Sequence, residues 1–393
     1  MFTIRNCRMD SGEHIPMLVR KSTGMADLHA MEFVMLVDRA AGNSAAYIEL
    51  RLRSVAVGLK LFHDLDIDVE QRLATGSFLS QTELSALATA CRKRVDGKGD
   101  VVGEYIDLRY STVVEFVSFR ADFYRARAQG DRQDQLVRAA AHFEKLAKRI
   151  APYVQSSSRS KERFGLEPDL RQKFLLLINP GSKLNPFRPK LRKRNNAILL
   201  LAFRHGFRSG ELLGFKRFDF DDKAEVPTIS VHRRPDDPED KRKVPARAKT
   251  LAREIELDSD ALGALEEWVE DRQVLARYPK RRVHGFLFVE RQGGPLAART
   301  LRGIYDRIRK VFPEFADLCN HMLRHDWNDR WVEMSQEEGW DDEGALQDQC
   351  YAMGWSRTSK QPGLYPRKAI RKRTNKRMAA MNNKLVAPRA AND

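Results

Sequence analysis

Seven consecutive apolar residues occupy positions 197–203, near the middle of this 393-residue chain, and Gly206 follows them closely. A helix that is apolar on all sides must be buried on all sides, and a glycine just beyond it is typical of a helix end. We therefore expect a separate domain that contains this helix and begins near Asn195. The run is far shorter than the roughly 20 residues of a membrane-spanning helix, so we expect no membrane insertion.

The segments before this helix predict a domain made of helices. Residues 1–30 show little helical periodicity, and the apolar stretch 15–19 indicates a short hairpin in an N-terminal extension. Amphipathic periodicity then covers residues 31–160, where Ser80 and Glu83 have the spacing of a capping box. We interpret residues 31–160 as an all-helical domain.

Residues 161–194 are interpreted as a basic linker between two domains. Five positive charges fall within seven residues of this stretch: Arg188, Lys190, Arg192, Lys193 and Arg194. A charge run of this kind is either a solvated connector or a contact with a phosphate backbone. In a basic protein we predict that these five side chains bind DNA.

The region 195–385 combines helical and strand patterns and is followed by a tail at 386–393. Strands are predicted at 227–232, 251–257 and 286–289, and helices at 259–276 and 298–311. The polar, proline-containing stretch 233–248 predicts a long hairpin loop. The fold class of the chain is therefore mainly α with a small antiparallel β-sheet.

The charge balance points to a polyanionic partner. Lysine and arginine outnumber the acidic residues by 70 to 54, which gives a formal net charge of +16. We expect nucleic acid in preference to an anionic membrane surface. The four cysteines, Cys7, Cys91, Cys319 and Cys350, have no close pairing, which favours reduced thiols and a cytoplasmic location.

One predicted helix carries a stripe of polar side chains. His321, Arg324, His325 and Asn328 follow each other at helical spacing and would lie on one face. Such a stripe suits the binding of an anion, and an exposed basic helix is the alternative.

Arg208 lies in a turn between two predicted helices, directly after the glycine that ends the apolar helix. Packing of both helices would fix its guanidinium, a planar and permanently charged group that suits two phosphate oxygens. Glu211 is near enough in sequence to orient this guanidinium. A purely structural pair of Arg208 and Glu211 is the alternative.

Lys249 adjoins the predicted strand 251–257 at the mouth of the hairpin, where it would give a proton to a leaving alkoxide. Lys241 and Lys243 lie in the same loop and compete for this role.

Tyr365 follows Trp355 by ten residues. A phenol becomes a good nucleophile only among cations that favour the phenolate. Tyr351 is the other tyrosine nearby, but its surroundings predict a packed helix.

Two metal-dependent alternatives use acidic, histidine or cysteine side chains. A zinc site would use Cys319, His321, His325 and Cys350, and a nuclease site would use Asp219, Asp221 and Asp222. The first lacks zinc-knuckle spacing and would place Arg324 beside the ion. The three aspartates fit better as caps of the turn before the first strand, so no metal site is predicted.

Residues 195–385 resemble the catalytic domain of the tyrosine recombinases, the phage-integrase family. The resemblance rests on a set of residues in the family's order: Arg208 with Glu211, Lys249, His321 with Arg324, Trp355 and Tyr365. It implies that Tyr365 is the nucleophile, that the two arginines bind the phosphate, that Lys249 protonates the leaving group, and that His321 and Trp355 support them, with Glu211 and His325 in supporting positions. Trp355 stands where histidine is commoner, and the interval of 31 positions from Arg324 to Trp355 exceeds the usual one.

The resemblance also implies the wider biology. Residues 31–160 resemble the family's core-binding domain, which clamps DNA. We expect a site-specific recombinase or integrase of a mobile genetic element, which cleaves and rejoins double-stranded DNA through a 3′-phosphotyrosyl intermediate without metal or cofactor. We expect a homo-tetramer on two DNA sites, with accessory proteins, in the bacterial cytosol or nucleoid. A type IB topoisomerase-like relaxing enzyme and a non-catalytic DNA-binding protein that retains the fold are the alternatives.

Overall fold

The computed structural model divides the chain into two compact units, Met1–Lys161 and Glu162–Asp393. It describes residues 1–94, 99–101, 103–151, 165–234, 236–242, 245–246, 248, 250–276, 285–356 and 378. Over these residues the protein is mainly helical with small antiparallel sheets, which confirms the predicted fold class.

The first unit opens with a hairpin and continues as helices. Strand β1 (Phe2–Arg8) pairs antiparallel with β2 (His14–Arg20), which confirms the hairpin. The helices are α1 (Leu28–Phe33), a π-helix (Val34–Arg39), α2 (Ala45–Asp64), α3 (Val69–Thr75), α4 (Gln81–Arg92), α5 (Gly103–Arg125) and α6 (Asp131–Ile150). At the start of α4, Ser80 and Glu83 form the predicted capping box.

The hairpin belongs to the packed body of this unit. Leu18 of β2 is 1% exposed and lies in one apolar cluster with Phe33 and Leu52. At the centre of the unit α2 and α5 pack so closely that a Cβ on Gly58 would lie 2.6 Å from a methyl group of Val113. The N-terminal residues predicted as an extension therefore contribute to the core of this unit.

The second unit combines helices with a three-stranded sheet. Its helices are α7 (Pro168–Ile178), α8 (Pro189–Arg204), α9 (Ser209–Gly214), α10 (Ser259–Ala276), α11 (Ala298–Val311), α12 (Asn320–Glu337) and α13 (Asp342–Met353). The sheet has the order β3 (Phe220–Asp221), β4 (Thr228–Val231) and β5 (Arg253–Glu256), all antiparallel. Residues 286–289 are buried but form only isolated bridges, so the strand predicted there is wrong; the turn at Gly293 and Pro295 returns the chain before a ladder can extend.

Helix α8 is the centre of this unit. All seven residues of the run 197–203 are buried, as the sequence predicted, and α10 and α12 pack against them. Gly206 follows with a φ of +64°, and a Cβ there would lie 2.9 Å from the Met353 methyl group. The glycine both ends the helix and permits a close approach of α13.

Part of the predicted linker 161–194 is packed into the second unit, which corrects the sequence interpretation. Phe174 and Leu177 of α7 are completely buried in the main core. The backbone N–H groups of Gly165 and Leu166 each donate at 2.9 Å to carboxylates of α12, those of Asp329 and Asp326. Apolar side chains and buried hydrogen bonds fix this stretch, despite its charge.

No helix within the described residues is long and apolar enough to cross a membrane.

Candidate active site

Arg324 of α12 lies at the centre of the predicted site and is only 1% exposed. One guanidinium nitrogen donates to the Gly206 carbonyl at 2.7 Å and another donates to the Met353 carbonyl at 2.8 Å. The guanidinium carbon lies 5.3 Å from the ring centroid of Trp355. Two carbonyl acceptors and an aromatic wall hold this permanent positive charge in one orientation.

Arg208 lies beside it, at the residue that precedes α9. Its Nη1 donates to the same Met353 carbonyl at 3.3 Å. Its backbone N–H donates to Glu211 Oε2 at 2.8 Å, so the carboxylate caps the first turn of α9. The prediction that Arg208 and Arg324 meet at one site is supported by this shared acceptor.

Glu211 has a different partner from the one predicted. Its carboxylate contacts the guanidinium of Arg253 at 3.0 and 3.2 Å and accepts a hydrogen bond from the Thr250 hydroxyl. Burial tends to raise the pKa of Glu211, but Arg253, the charge of Arg324 and the Thr250 hydrogen bond outweigh it and hold the pKa below its ordinary value. Glu211 is therefore an ionised group whose carboxylate accepts the backbone N–H of Arg208 and pairs with the guanidinium of Arg253.

The polar stripe of α12 is divided between core and surface. Arg324 and Asn328 are buried, whereas His321 is exposed and His325 is half-buried. The two imidazole Nε2 atoms lie 3.0 Å apart, so one ring can donate to the other. Asn328 donates to the Arg324 carbonyl and accepts from Gln349 of α13, and these contacts explain its burial.

Trp355 reaches the site because α13 ends at a left-handed glycine. Gly354 has a φ of +61°, and the backbone N–H of Trp355 donates back to the Cys350 carbonyl at 2.8 Å. A Cβ on Gly354 would lie 2.6 Å from a nitrogen of Arg253, so a side chain does not fit there. The sharp turn places the indole, 6% exposed, beside Arg324.

Lys249, Lys243 and Tyr365 lie outside the described residues, as do the tail 386–393 and most of the basic segment before it. Tyr351 differs from its prediction: the side chain is 58% exposed and its hydroxyl donates to the Glu254 carbonyl at 3.1 Å. Helix α13 turns this position outward, although its neighbour Cys350 is buried.

The five basic side chains of 188–194 do not form one surface. Arg194 is 4% exposed and donates to the Val289 carbonyl and to Asn195, so the predicted DNA contact is wrong for this residue. Arg192 donates to the backbone carbonyls of Phe187 and Pro180. Lys193 lies 3.6 Å from Asp271, and only Arg188 and Lys190 stand fully at the surface. Helix α8 begins inside the charge run, and its helical turn directs Arg194, the last arginine of the run, into the core.

The residues of the metal-dependent alternatives have other roles. Asp219 is buried and pairs with Arg234, Asp222 pairs with Arg217, and Asp221 accepts from the backbone N–H groups at the following turn. Within the described part of the chain, no group of three or more His, Cys, Asp or Glu side chains is placed to hold a metal ion.

Sequence reasoning missed Arg253 and Asn320. Asn320, the first residue of α12, donates to the Phe207 carbonyl and accepts from the buried Tyr305 hydroxyl, so it holds α12 against the turn that carries Arg208. Along the strand predicted at 251–257, Arg253 alternates with Leu251, Ile255 and Leu257 and would share one face with these apolar side chains. A charged residue on such a face needs a buried partner, and this was the available signal.

Comparison with known proteins agrees with the geometry. Residues 181–360 match the Phage integrase family. The tyrosine recombinase XerC of Bacillus pumilus (strain SAFR-032) is 32% identical over 136 residues, which are 34% of this chain and 39% of that protein. The chain thus spans about two fifths of the length of this curated relative.

Solved structures were also matched. The Tn1549 transposon integrase in complex with circular intermediate DNA is 17% identical, with a TM-score of 0.45 over 73% of this chain and 81% of the other. The XerH site-specific recombinase bound to difH substrate is 18% identical, with a TM-score of 0.39 over 76% and 84%. On the family match and the XerC relative, together with the ordered motif residues, residues 181–360 are similar to the domain of the phage integrase family, the tyrosine recombinases.

Proposed function

We propose that the protein is a site-specific DNA recombinase or integrase that cleaves and rejoins double-stranded DNA through Tyr365, for a mobile genetic element. The observation that carries the proposal is the convergence of Arg208 and Arg324 on one acceptor, the Met353 carbonyl. Two fixed guanidinium groups at hydrogen-bonding distance from one oxygen suit the non-bridging oxygens of a phosphodiester.

The proposed chemistry is an in-line transfer. The phenolate of Tyr365 attacks the phosphorus, the phosphorus–oxygen bond to the 5′ carbon breaks, and a 3′-phosphotyrosyl ester and a 5′-hydroxyl result. Arg208 and Arg324 stabilise the charge that grows on the non-bridging oxygens. A 5′-hydroxyl of a partner strand then reverses the step. The ester conserves the energy of the broken bond, so the scheme requires no nucleotide, metal or other cofactor.

Lys249 is proposed as the donor of the proton to the leaving oxygen. Thr250, the next residue, is 4% exposed and its hydroxyl donates to Glu211, which also caps the turn at Arg208. This anchor favours Lys249 over Lys243 and Lys241. His321 would support the phosphate, and its contact with His325 fixes the imidazole.

DNA binding by two domains completes the proposal. We propose that residues 31–160 clamp the duplex with the catalytic domain 195–385, with Arg188 and Lys190 as phosphate contacts, and that four protomers assemble on two sites, with accessory proteins. The basic segment after Tyr365 would contact a neighbouring protomer or the DNA. Phosphate contacts of this kind make affinity fall steeply with salt.

A nicked suicide duplex tests the function, because loss of the short fragment after cleavage prevents rejoining. Incubation in EDTA, followed by SDS gels, should show a covalent adduct with the wild-type protein and none with Tyr365→Phe. Recombinant joints from paired sites support a recombinase, whereas relaxation of supercoiled DNA without joints supports the topoisomerase-like alternative. DNA binding without any adduct would support a non-catalytic binder.

A further inference from the structure

Arg253 connects the elements that hold both phosphate-binding arginines. Its side chain is 1% exposed and contacts both carboxylate oxygens of Glu211, which is itself 0% exposed. Its Nε donates to the Ala352 carbonyl in the last turn of α13 at 2.8 Å. One guanidinium on β5 therefore joins α9 to α13.

Each of these contacts lies next to a group that fixes a phosphate-binding side chain. The Glu211 carboxylate accepts the backbone N–H of Arg208. The carbonyl that follows Ala352 is that of Met353, the acceptor for both Arg208 and Arg324. A displacement of Arg253 would move both supports together.

The start of β5 reinforces the same junction. Leu251 donates its N–H to the Gly354 carbonyl at 3.0 Å, and the Arg253 guanidinium lies 5.6 Å from the centre of the Phe207 ring. A buried ion pair is a weak means of stabilising a fold, because desolvation cancels much of its attraction. The five directed N–H donors of the Arg253 guanidinium are instead suited to fixing the distances between the groups that accept them.

We propose that Arg253 is a positioning residue for phosphodiester cleavage: it sets the spacing of Arg208 and Arg324 without contact with the DNA. The proposal rests on the proposed function. A lysine at 253 keeps the charge but cannot reach both Glu211 oxygens and the Ala352 carbonyl at once. A glutamine at 211 keeps the shape and loses the charge that holds Arg253.

The test compares Arg253→Lys and Glu211→Gln with Arg51→Lys as a matched control. Arg51 is a 5% exposed arginine paired with Asp38 in the first unit, remote in sequence from the site. The rate of adduct formation on a nicked suicide duplex is measured at saturating DNA, alongside the DNA Kd. Displacement of a catalytic group by about 1 Å can cost about 100-fold in rate, so we expect a fall of at least about tenfold for Arg253→Lys and Glu211→Gln, with Kd changed by less than about threefold.

A second substrate separates positioning from a general loss of structure. A methylphosphonate at the cleavage site lacks one charged oxygen, so the reaction depends less on the arginines. The rate defect of Arg253→Lys should shrink on this substrate in parallel with that of Arg208→Ala. A wild-type rate for Arg253→Lys, or an equal loss on both substrates, would overturn the positioning role while a defective Arg208→Ala still supports the function. No adduct with the wild-type protein overturns both.

Discussion

Arg208, which directly precedes α9, and Arg324 of α12 donate to a single oxygen, the carbonyl of Met353, at 3.3 and 2.8 Å. Two like charges are thereby held within two hydrogen-bond lengths of each other. The partial negative charge of the carbonyl offsets part of their repulsion. The fold holds both guanidinium groups in place before any DNA binds, and electrostatic catalysis requires donors that are preorganised in this way.

The two arginines should therefore be intolerant of lysine. Arg208→Lys and Arg324→Lys keep the charge but lose the planar pair of donors, and we expect adduct formation to slow by about 10²–10³-fold. Arg204→Lys is the matched control, because Arg204 lies on α8 with a side chain 31% exposed and paired with Asp260. Single-turnover cleavage rates measure the effect, and equal rates for all three variants would contradict it.

The turn at Gly354 should be sensitive to one added methyl group. In Gly354→Ala the left-handed φ of +61° and the contact with Arg253 both become unfavourable, and we expect a loss of about 1–3 kcal/mol in the free energy of unfolding together with slower cleavage. Gly339→Ala is the control, because Gly339 has a φ of +65° but nothing within 4 Å of the added Cβ. Its cost should be about 1 kcal/mol with cleavage unchanged. Similar effects of both variants on cleavage would show that Gly354 does not place Trp355.

Asp326 should be an anchor for the chain that enters the second unit. Its carboxylate is 0% exposed and accepts from Leu166, Arg171 and Arg330. Asp326→Asn breaks this buried network and should cost about 3–5 kcal/mol. Glu333→Gln removes a 34% exposed partner of the same Arg171 and should cost less than about 1 kcal/mol.

Tryptophan fluorescence in urea measures this difference selectively. All five tryptophans of the chain, Trp268, Trp327, Trp331, Trp340 and Trp355, lie in the second unit. Indistinguishable urea midpoints for the two variants would contradict the anchoring role.

The lowered pKa of Asp258 should make the folded protein lose stability in acid. Burial tends to raise its pKa, but the hydrogen bond from His205, the Ala261 N–H and the charge of Arg204 lower the pKa to about 2. Because this value lies below the roughly 4 of an unfolded aspartate, the stabilisation is present above pH about 4 and is lost as the pH falls towards 2. Wild-type Tm should fall more steeply than that of Asp258→Asn over this window. Parallel Tm curves for the two proteins would exclude the contribution.

Local patterns predicted the elements well. The capping box at Ser80 and helix α11 depend on neighbours in sequence, and both were found as expected. The buried run 197–203 was recognisable because an all-apolar helix has only one stable environment. Side-chain partners that are distant in sequence could not be predicted in the same way. Glu211 is close in sequence to Arg208, but its carboxylate pairs with the guanidinium of Arg253.

The same limit applies to the basic run 188–194. Its composition suggests one surface, but the start of α8 distributes the side chains between solvent and core. Arg194 became structural because its place on α8 directs it to the Val289 carbonyl. Charge alone does not reveal which side of a helix faces the protein.

The identity of the residue that becomes attached to DNA distinguishes cleavage by Tyr365 from every other mechanism of strand breakage. The SDS-resistant adduct should be digested with nuclease and protease, and the modified peptide sequenced by mass spectrometry. We expect a nucleotide 3′-phosphate on Tyr365 and an unmodified Tyr351. Attachment at Tyr351, at a serine, or at a 5′-phosphate would contradict this expectation.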